Sequence, residues 1–137
     1  MIAYLTLTQL DETLTGDLLE RATMVQRQTA IERASADANG YLRAAGYTVP
    51  LALDDVPDEL RGRIADVARY RLAVVLRLLP EPASTSALWI DYQAAVAWLK
   101  EMAAGRVTLD LPLATDAAEP GQPSISTNVG RRWDLGF

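Results

Sequence analysis

The chain has 137 residues, half of them apolar, with 18 acidic and 13 basic side chains and a net charge of −5. That length suits one domain, the apolar content excludes wholesale disorder, and no apolar run approaches the roughly 20 residues needed to span a bilayer. Cysteine and histidine are both absent, which excludes disulfides and thiolate chemistry and removes the commonest general base and zinc ligand, so a non-enzymatic protein without cofactor or metal is expected.

The opening Met1-Ile2-Ala3-Tyr4-Leu5 lacks the basic segment of a secretory signal, and Asp11 and Glu12 soon follow. A chain made in the cytoplasm is expected. Thr8 and Asp11 have capping-box spacing, with Asp in place of Glu, and predict a short helix over about Leu7 to Leu14, ended by Thr15-Gly16. From about Thr23 to Ala45, the residues Ile31, Ala34, Ala38, Tyr41, Leu42 and Ala45 recur at steps of three and four. This is the apolar stripe of a long helix, and Gly46 is placed to end it in the left-handed conformation.

Tyr47 to Leu51 reads as an extended connector, since Pro50 disfavours helix at Val49. Val56-Pro57-Asp58-Glu59 opens a second long helix, with acids at the positive end of its dipole. Its expected apolar face runs through Leu60, Ile64, Val67, Ala68, Leu72, Val75, Leu76 and Leu79 to a stop at Pro80-Glu81-Pro82. Ser84-Thr85-Ser86 offers caps for a third helix carrying Trp89, Tyr92, Val96, Leu99 and Met102, closed by Gly105. Val107-Thr108-Leu109-Asp110-Leu111 alternates and predicts one short strand.

Composition shifts after Pro112: Ala114 to Asn128 is rich in Pro, Gly, Ser, Thr and acids, and cannot bury a core of its own. The predicted fold is therefore mainly α, a small bundle of three long helices plus a short N-terminal helix and one short strand. Residues 1–111 form the helical domain and residues 112–137 an extended C-terminal arm. Such an arm spans about 80 Å when fully extended.

Several clusters invite a chemical reading and each has a simpler one. Asp54, Asp55, Asp58 and Glu59 lack the alternation and central Gly of a calcium loop, and capping explains them. Of the 13 basic residues all but Lys100 are arginine. Arg61, Arg63, Arg69, Arg71 and Arg77 suggest a phosphate-tracking helix, but Asp58, Glu59 and Asp66 among them favour a solvated, salt-bridged face. The negative balance also argues against a dedicated nucleic-acid binder. Tyr41, Tyr70, Trp89, Tyr92 and Trp98 are expected in the core. The cluster with binding chemistry is the tip Arg131-Arg132-Trp133-Asp134-Leu135-Gly136-Phe137, because Trp and Arg dominate interface hot spots.

A set of short motifs then falls in a recognisable order. Tyr4-Leu5-Thr6 with Leu10 precedes Ala30-Ile31, Ala34 and Tyr41-Leu42; Tyr47, Pro50-Leu51, Val56-Pro57 and Leu60 follow. Asp66-Val67-Ala68-Arg69-Tyr70-Arg71-Leu72 is close to a DIARYRL pattern, and Tyr92 to Leu109 matches a spaced Tyr, Ala, Trp-Leu, Gly, Leu series. In this order the chain resembles the head–tail connector (adaptor, head-completion) proteins of Mu-like phages and prophages, departing from the pattern at Ala38 and Gly40-Tyr41.

The resemblance implies a structural virion protein, made in the host cytoplasm and assembled as a ring at the phage neck between the portal protein and a tail-side neck protein. Twelve subunits are implied by the portal's symmetry. It further implies that Arg131, Arg132, Trp133 and Phe137 touch the portal or a neighbouring subunit, and that double-stranded DNA passes through without specific binding. Twelve copies would carry a charge of about −60, which suits passage better than grip. The alternatives are a DNA-binding packaging or regulatory protein, another neck or tail-terminator protein, and a small enzyme using Asp and Tyr.

Overall fold

A computed structural model describes residues 3–79 and 86–113. The expected stop at Pro80-Glu81-Pro82, the caps Ser84 and Thr85, and the arm beyond residue 113 lie outside the described residues. Five α-helices follow one another: α1 Leu7–Asp11, α2 Gly16–Arg21, α3 Met24–Ala44, α4 Asp58–Val75 and α5 Ala87–Ala103. The three long helices pack mutually, and α1 and α2 lie across them against α3 and α4. Contacts between Arg63 and Trp98 and between Tyr70 and Tyr92 set α4 antiparallel to α5. The mainly helical bundle expected from the sequence is what the chain forms.

Local chemistry explains where the helices begin. α1 opens with a capping box between Thr6 and Gln9, not with the Thr8–Asp11 pair expected from the sequence. Thr6 Oγ1 accepts from the Gln9 amide at 3.0 Å, and Gln9 Oε1 accepts from the Thr6 amide at 2.9 Å. The same box recurs at the start of α3, where Thr23 Oγ1 accepts from the Gln26 amide at 3.1 Å and Gln26 Oε1 accepts from the Thr23 amide at 2.9 Å. α4 has no side-chain cap at Pro57 and instead carries Asp58 and Glu59 in its first turn. Ser86 caps α5 by accepting from the Leu88 amide at 3.1 Å.

The three long helices end in one way. In α3 the Gly46 amide bonds to the Arg43 carbonyl and the Tyr47 amide to the Leu42 carbonyl; in α5 the Gly105 amide bonds to Met102 and the Arg106 amide to Glu101. These are Schellman motifs, with glycine at φ +93° and +84°. α4 repeats the motif with Arg77 at φ +56°, its amide on the Val74 carbonyl and the Leu78 amide on Ala73. This lock ends α4 at Val75, four residues short of the Leu79 expected from the apolar pattern. The pattern persists because Leu76, Leu78 and Leu79 still pack against the core after the helix has stopped.

Two further expectations are corrected. Gly16 does not end the N-terminal helical region; at φ +54° it turns the chain into α2, which buries Leu18, with Ala22 buried just beyond its end. Leu14, Leu18 and Ala22 are spaced by four, the helical signal that the Thr-Gly pair obscured. Residues 107–111 form no strand, and none is present among the described residues. Alternation needs an adjacent edge to pair with, and only Tyr47 and Thr48 offer one. The result is an isolated antiparallel bridge between Tyr47 and Leu113, with the Thr48 amide on the Pro112 carbonyl at 3.2 Å.

The core is a single cluster centred on Leu10, Ile31, Leu42, Leu60, Ile64, Leu72, Leu99 and Met102. Alanines at 34, 38, 68 and 73 are buried between the long helices, where their small side chains admit close approach. The buried polar residues Ser35, Asn39 and Ser86 each have a hydrogen-bond partner. Tyr4 is fully buried: its amide donates to Ser35 Oγ at 2.9 Å, and its hydroxyl donates to Asn39 Oδ1 at 2.7 Å while accepting from the Leu51 amide at 3.1 Å. Tyr47 Oη likewise accepts from the Leu109 amide at 2.8 Å.

Candidate functional site

The arginines of α4 are engaged within the chain. Arg61 bonds Asp58 at 2.7 Å and the Val56 carbonyl at 2.9 Å. Arg63 lies over the Trp98 ring, 5.6 Å from its centroid. Arg69 bridges Asp66 and Asp91, and Arg71 reaches across to Asp37 on α3. At the N-terminal side Arg27 holds both carboxylate oxygens of Asp11 at 2.7 Å, tying α3 to α1. The Nε atoms of Arg61, Arg69 and Arg71 are buried without partners, so these pairs fix geometry more than they add stability. The salt-bridged reading of this face is the one the geometry supports.

The acids at 54, 55, 58 and 59 are exposed, in a 3-10 turn over Leu53–Asp55 and in the first turn of α4. No group of three or more metal-ligating side chains gathers among the described residues. Among the described residues one ionisable group is clearly perturbed: burial pushes the Tyr4 hydroxyl above its ordinary value, opposed by the Leu51 amide and the Arg43 charge.

The aromatic residues differ from expectation. Tyr41, Tyr70, Trp89, Tyr92 and Trp98 are half-buried, while the fully enclosed aromatics are Tyr4 and Tyr47. Tyr70 and Tyr92 stack with centroids 4.1 Å apart and planes at 17°, and Trp89 tilts against both. The cluster joins α4 to α5 and is only partly covered, its rings remaining half-buried.

The consequence is an open groove of about 450 Å³ between the N-terminal turns of α3, the C-terminal turns of α4 and the side of α5. Its lining is predominantly apolar, through Val25, Ala30, Tyr70, Leu72, Val74 and Val75, and Gln26, Thr29, Arg71 and the exposed Arg33 also face it. Val25 is 73% exposed, Val75 62% and Val74 48%. Val75 is thus a surface residue, against the sequence expectation that it joins the core face of α4. Exposed apolar residues gathered at one end mark a contact surface far better than scattered ones do. Sequence reasoning missed this site. The available signal was that Met24-Val25 and Val74-Val75 place adjacent apolar pairs at helix ends, where one helix face cannot bury both members. A second groove, between the other half of α3 and α5, is lined by Ala36, Gly40, Ala44, Val67 and Val96. The tip residues Arg131, Arg132, Trp133 and Phe137 lie outside the described residues.

Among the described residues the chain is a small helical bundle in which Arg27, Arg61, Arg69, Arg71 and Arg106 are paired with carboxylates of the same chain and an apolar groove stands open beside Val25, Val74 and Val75. A family model described as bacteriophage Mu, Gp36 matches residues 2–127, and the chain belongs to that family. It is a Mu-like phage protein, and the membership points to a virion-related structural role. No curated protein and no solved structure matches the chain. No helix among the described residues is long and apolar enough to cross a membrane.

Proposed function

We propose that this protein is a non-enzymatic adaptor subunit, repeated as a ring at the phage neck between the portal and a tail-side protein, with a central passage for DNA. The observation that carries the reading is membership of a Mu phage family across nearly the whole chain, joined to the connector-like motif order of the sequence. The surface is consistent with it. A ring of identical subunits needs a patch on one side of each copy that accepts a different patch of the next, and the α3–α4 groove offers an apolar acceptor. A DNA conduit has no use for a basic grip, and Arg61, Arg69 and Arg71 are engaged by carboxylates of the same chain.

In this reading residues 1–111 form the packing body and the arm from Pro112 onward reaches a portal or a neighbouring subunit through Arg131, Arg132, Trp133 and Phe137. The ring has twelve members and binds DNA without sequence preference or high affinity. Deleting Gly130–Phe137 is expected to abolish co-sedimentation with purified portal rings while leaving helicity intact. Undiminished portal binding removes the arm from the portal contact. The isolated chain is expected to be monomeric in dilute solution, because the portal template is missing; a stable dodecamer by analytical ultracentrifugation refutes that part. Submicromolar, steeply salt-dependent DNA affinity would replace the adaptor reading with a packaging or regulatory one.

A further inference from the structure

Two features at opposite ends of the bundle complement one another. The first is the apolar groove beside Val25, Val74 and Val75, at the N-terminal end of α3. The second is the point at which the arm leaves the body. Leu113 is held against Tyr47, just past the C-terminal end of α3. α3 has 21 residues and is roughly 30 Å long, so the arm departs about that far from the groove.

The tip of the arm has the pattern such a groove accepts. In Trp133-Asp134-Leu135-Gly136-Phe137 the apolar residues alternate, so an extended backbone places Trp133, Leu135 and Phe137 on one face. The same extended backbone would put Asp134 on the opposite face. The rim of the groove offers Arg33, which is exposed and makes no ion pair among the described residues. A groove of about 450 Å³ lies within the size range of sites that take a few large side chains.

We propose that the segment Trp133–Phe137 of one copy docks in the α3–α4 groove of a second copy, with its aromatic face on Val25, Val74 and Val75 and Asp134 beside Arg33. A donor at one end and an acceptor at the other make a head-to-tail contact, which repeats from copy to copy instead of closing as a dimer. The 19 residues 114–132 reach about 60 Å when extended, enough to cross to a neighbour. The proposal rests on the ring reading for its repetition, and the contact itself is measurable without a ring.

The test places photoreactive benzoylphenylalanine at position 133 of the full-length chain, mixed at high concentration with an isotopically heavy copy. Cross-links are expected between light and heavy copies, mapping to residues 24–33 and 70–75. Cross-links confined to one copy, or falling on other surfaces such as Ile90 of α5, overturn the proposal. Val25→Asp with Val75→Asp, both at exposed positions, is expected to lower the inter-copy yield at least about ten-fold with unchanged helicity; an unchanged yield also overturns it. Should that variant misfold, Arg33→Glu on the exposed rim gives the second reading, with an expected loss of about three-fold or more, and no loss counts against the contact. A chain that enters the phage neck without these cross-links overturns the contact and leaves the adaptor role standing. Cross-links from a chain that never enters the neck support the contact and remove the adaptor role.

Discussion

The two ends of α3 are finished differently. Toward its C-terminal half the bundle is closed by specific hydrogen bonds: Tyr4 engages Ser35, Asn39 and Leu51, and Tyr47 receives Leu109. At its N-terminal end Met24, Val25, Val74 and Val75 stand exposed, the three valines lining an open and mostly apolar groove. A buried network holds one arrangement, because any alternative leaves donors and acceptors unpaired in a low-dielectric interior. An apolar opening tolerates many partners of suitable shape and gains from covering any of them. The buried polar network lies at one end and the open apolar surface at the other.

The strongest test of that division compares a core residue at the closed end with a wall residue of the groove. Leu42→Ala, at a site 0% exposed, is expected to cost about 2–5 kcal/mol through lost burial and a residual cavity. Val75→Ala, on the groove wall, should cost less than about 0.5 kcal/mol. Urea denaturation monitored by circular dichroism gives both, and comparable losses would break the division. Tyr4→Phe comes next. It strands the Asn39 oxygen and the Leu51 amide, so a loss of about 1–3 kcal/mol is expected in the same assay; a neutral result would mean that the closed end owes little to its polar network.

Tyr4 also makes a pH prediction with a definite sign. Burial raises its value in the folded chain above the ordinary 10.0, so folding favours the neutral phenol. Its contribution is fully present below about pH 10 and is lost as pH rises from the unfolded value through the higher folded one. The urea midpoint of the native chain should therefore fall more steeply above pH 10 than that of Tyr4→Phe; parallel curves would contradict this. A smaller effect of opposite direction is expected at Arg77, whose φ of +56° suits glycine better than arginine. Arg77→Gly should raise stability by about 1 kcal/mol, read as a higher thermal midpoint.

The long helices were legible because their buried stripes are periodic: Ile31, Ala34, Ala38 and Leu42 were assigned to the core of α3 from spacing alone and are buried there. Gly46 and Gly105 were recognisable ends for the same reason that Arg77 was not. The left-handed residue of α4 is not a glycine, and proline three residues later suggested a later stop. Tyr4 was hidden because its role depends on Ser35, Asn39 and Leu51, which are remote in sequence and carry no local signature. The groove was illegible for a related reason: exposure of Val75 depends on which helices pack against that end of α4, and hydrophobicity along one helix does not report that. The aromatic tip, by contrast, was conspicuous from composition alone.

The capping box at Thr23 and the left-handed lock at Arg77 have a further bearing on recognition. Val25 sits two residues inside the first, and Val75 is the last helical residue before the second. The walls on which a visitor would settle are thus stiffened at their own extremities before any encounter. Ordering entropy on association then falls on the incoming chain and scarcely on the receiving surface. Fraying either terminus by mutation should accordingly speed dissociation even where every contacting side chain is left unaltered.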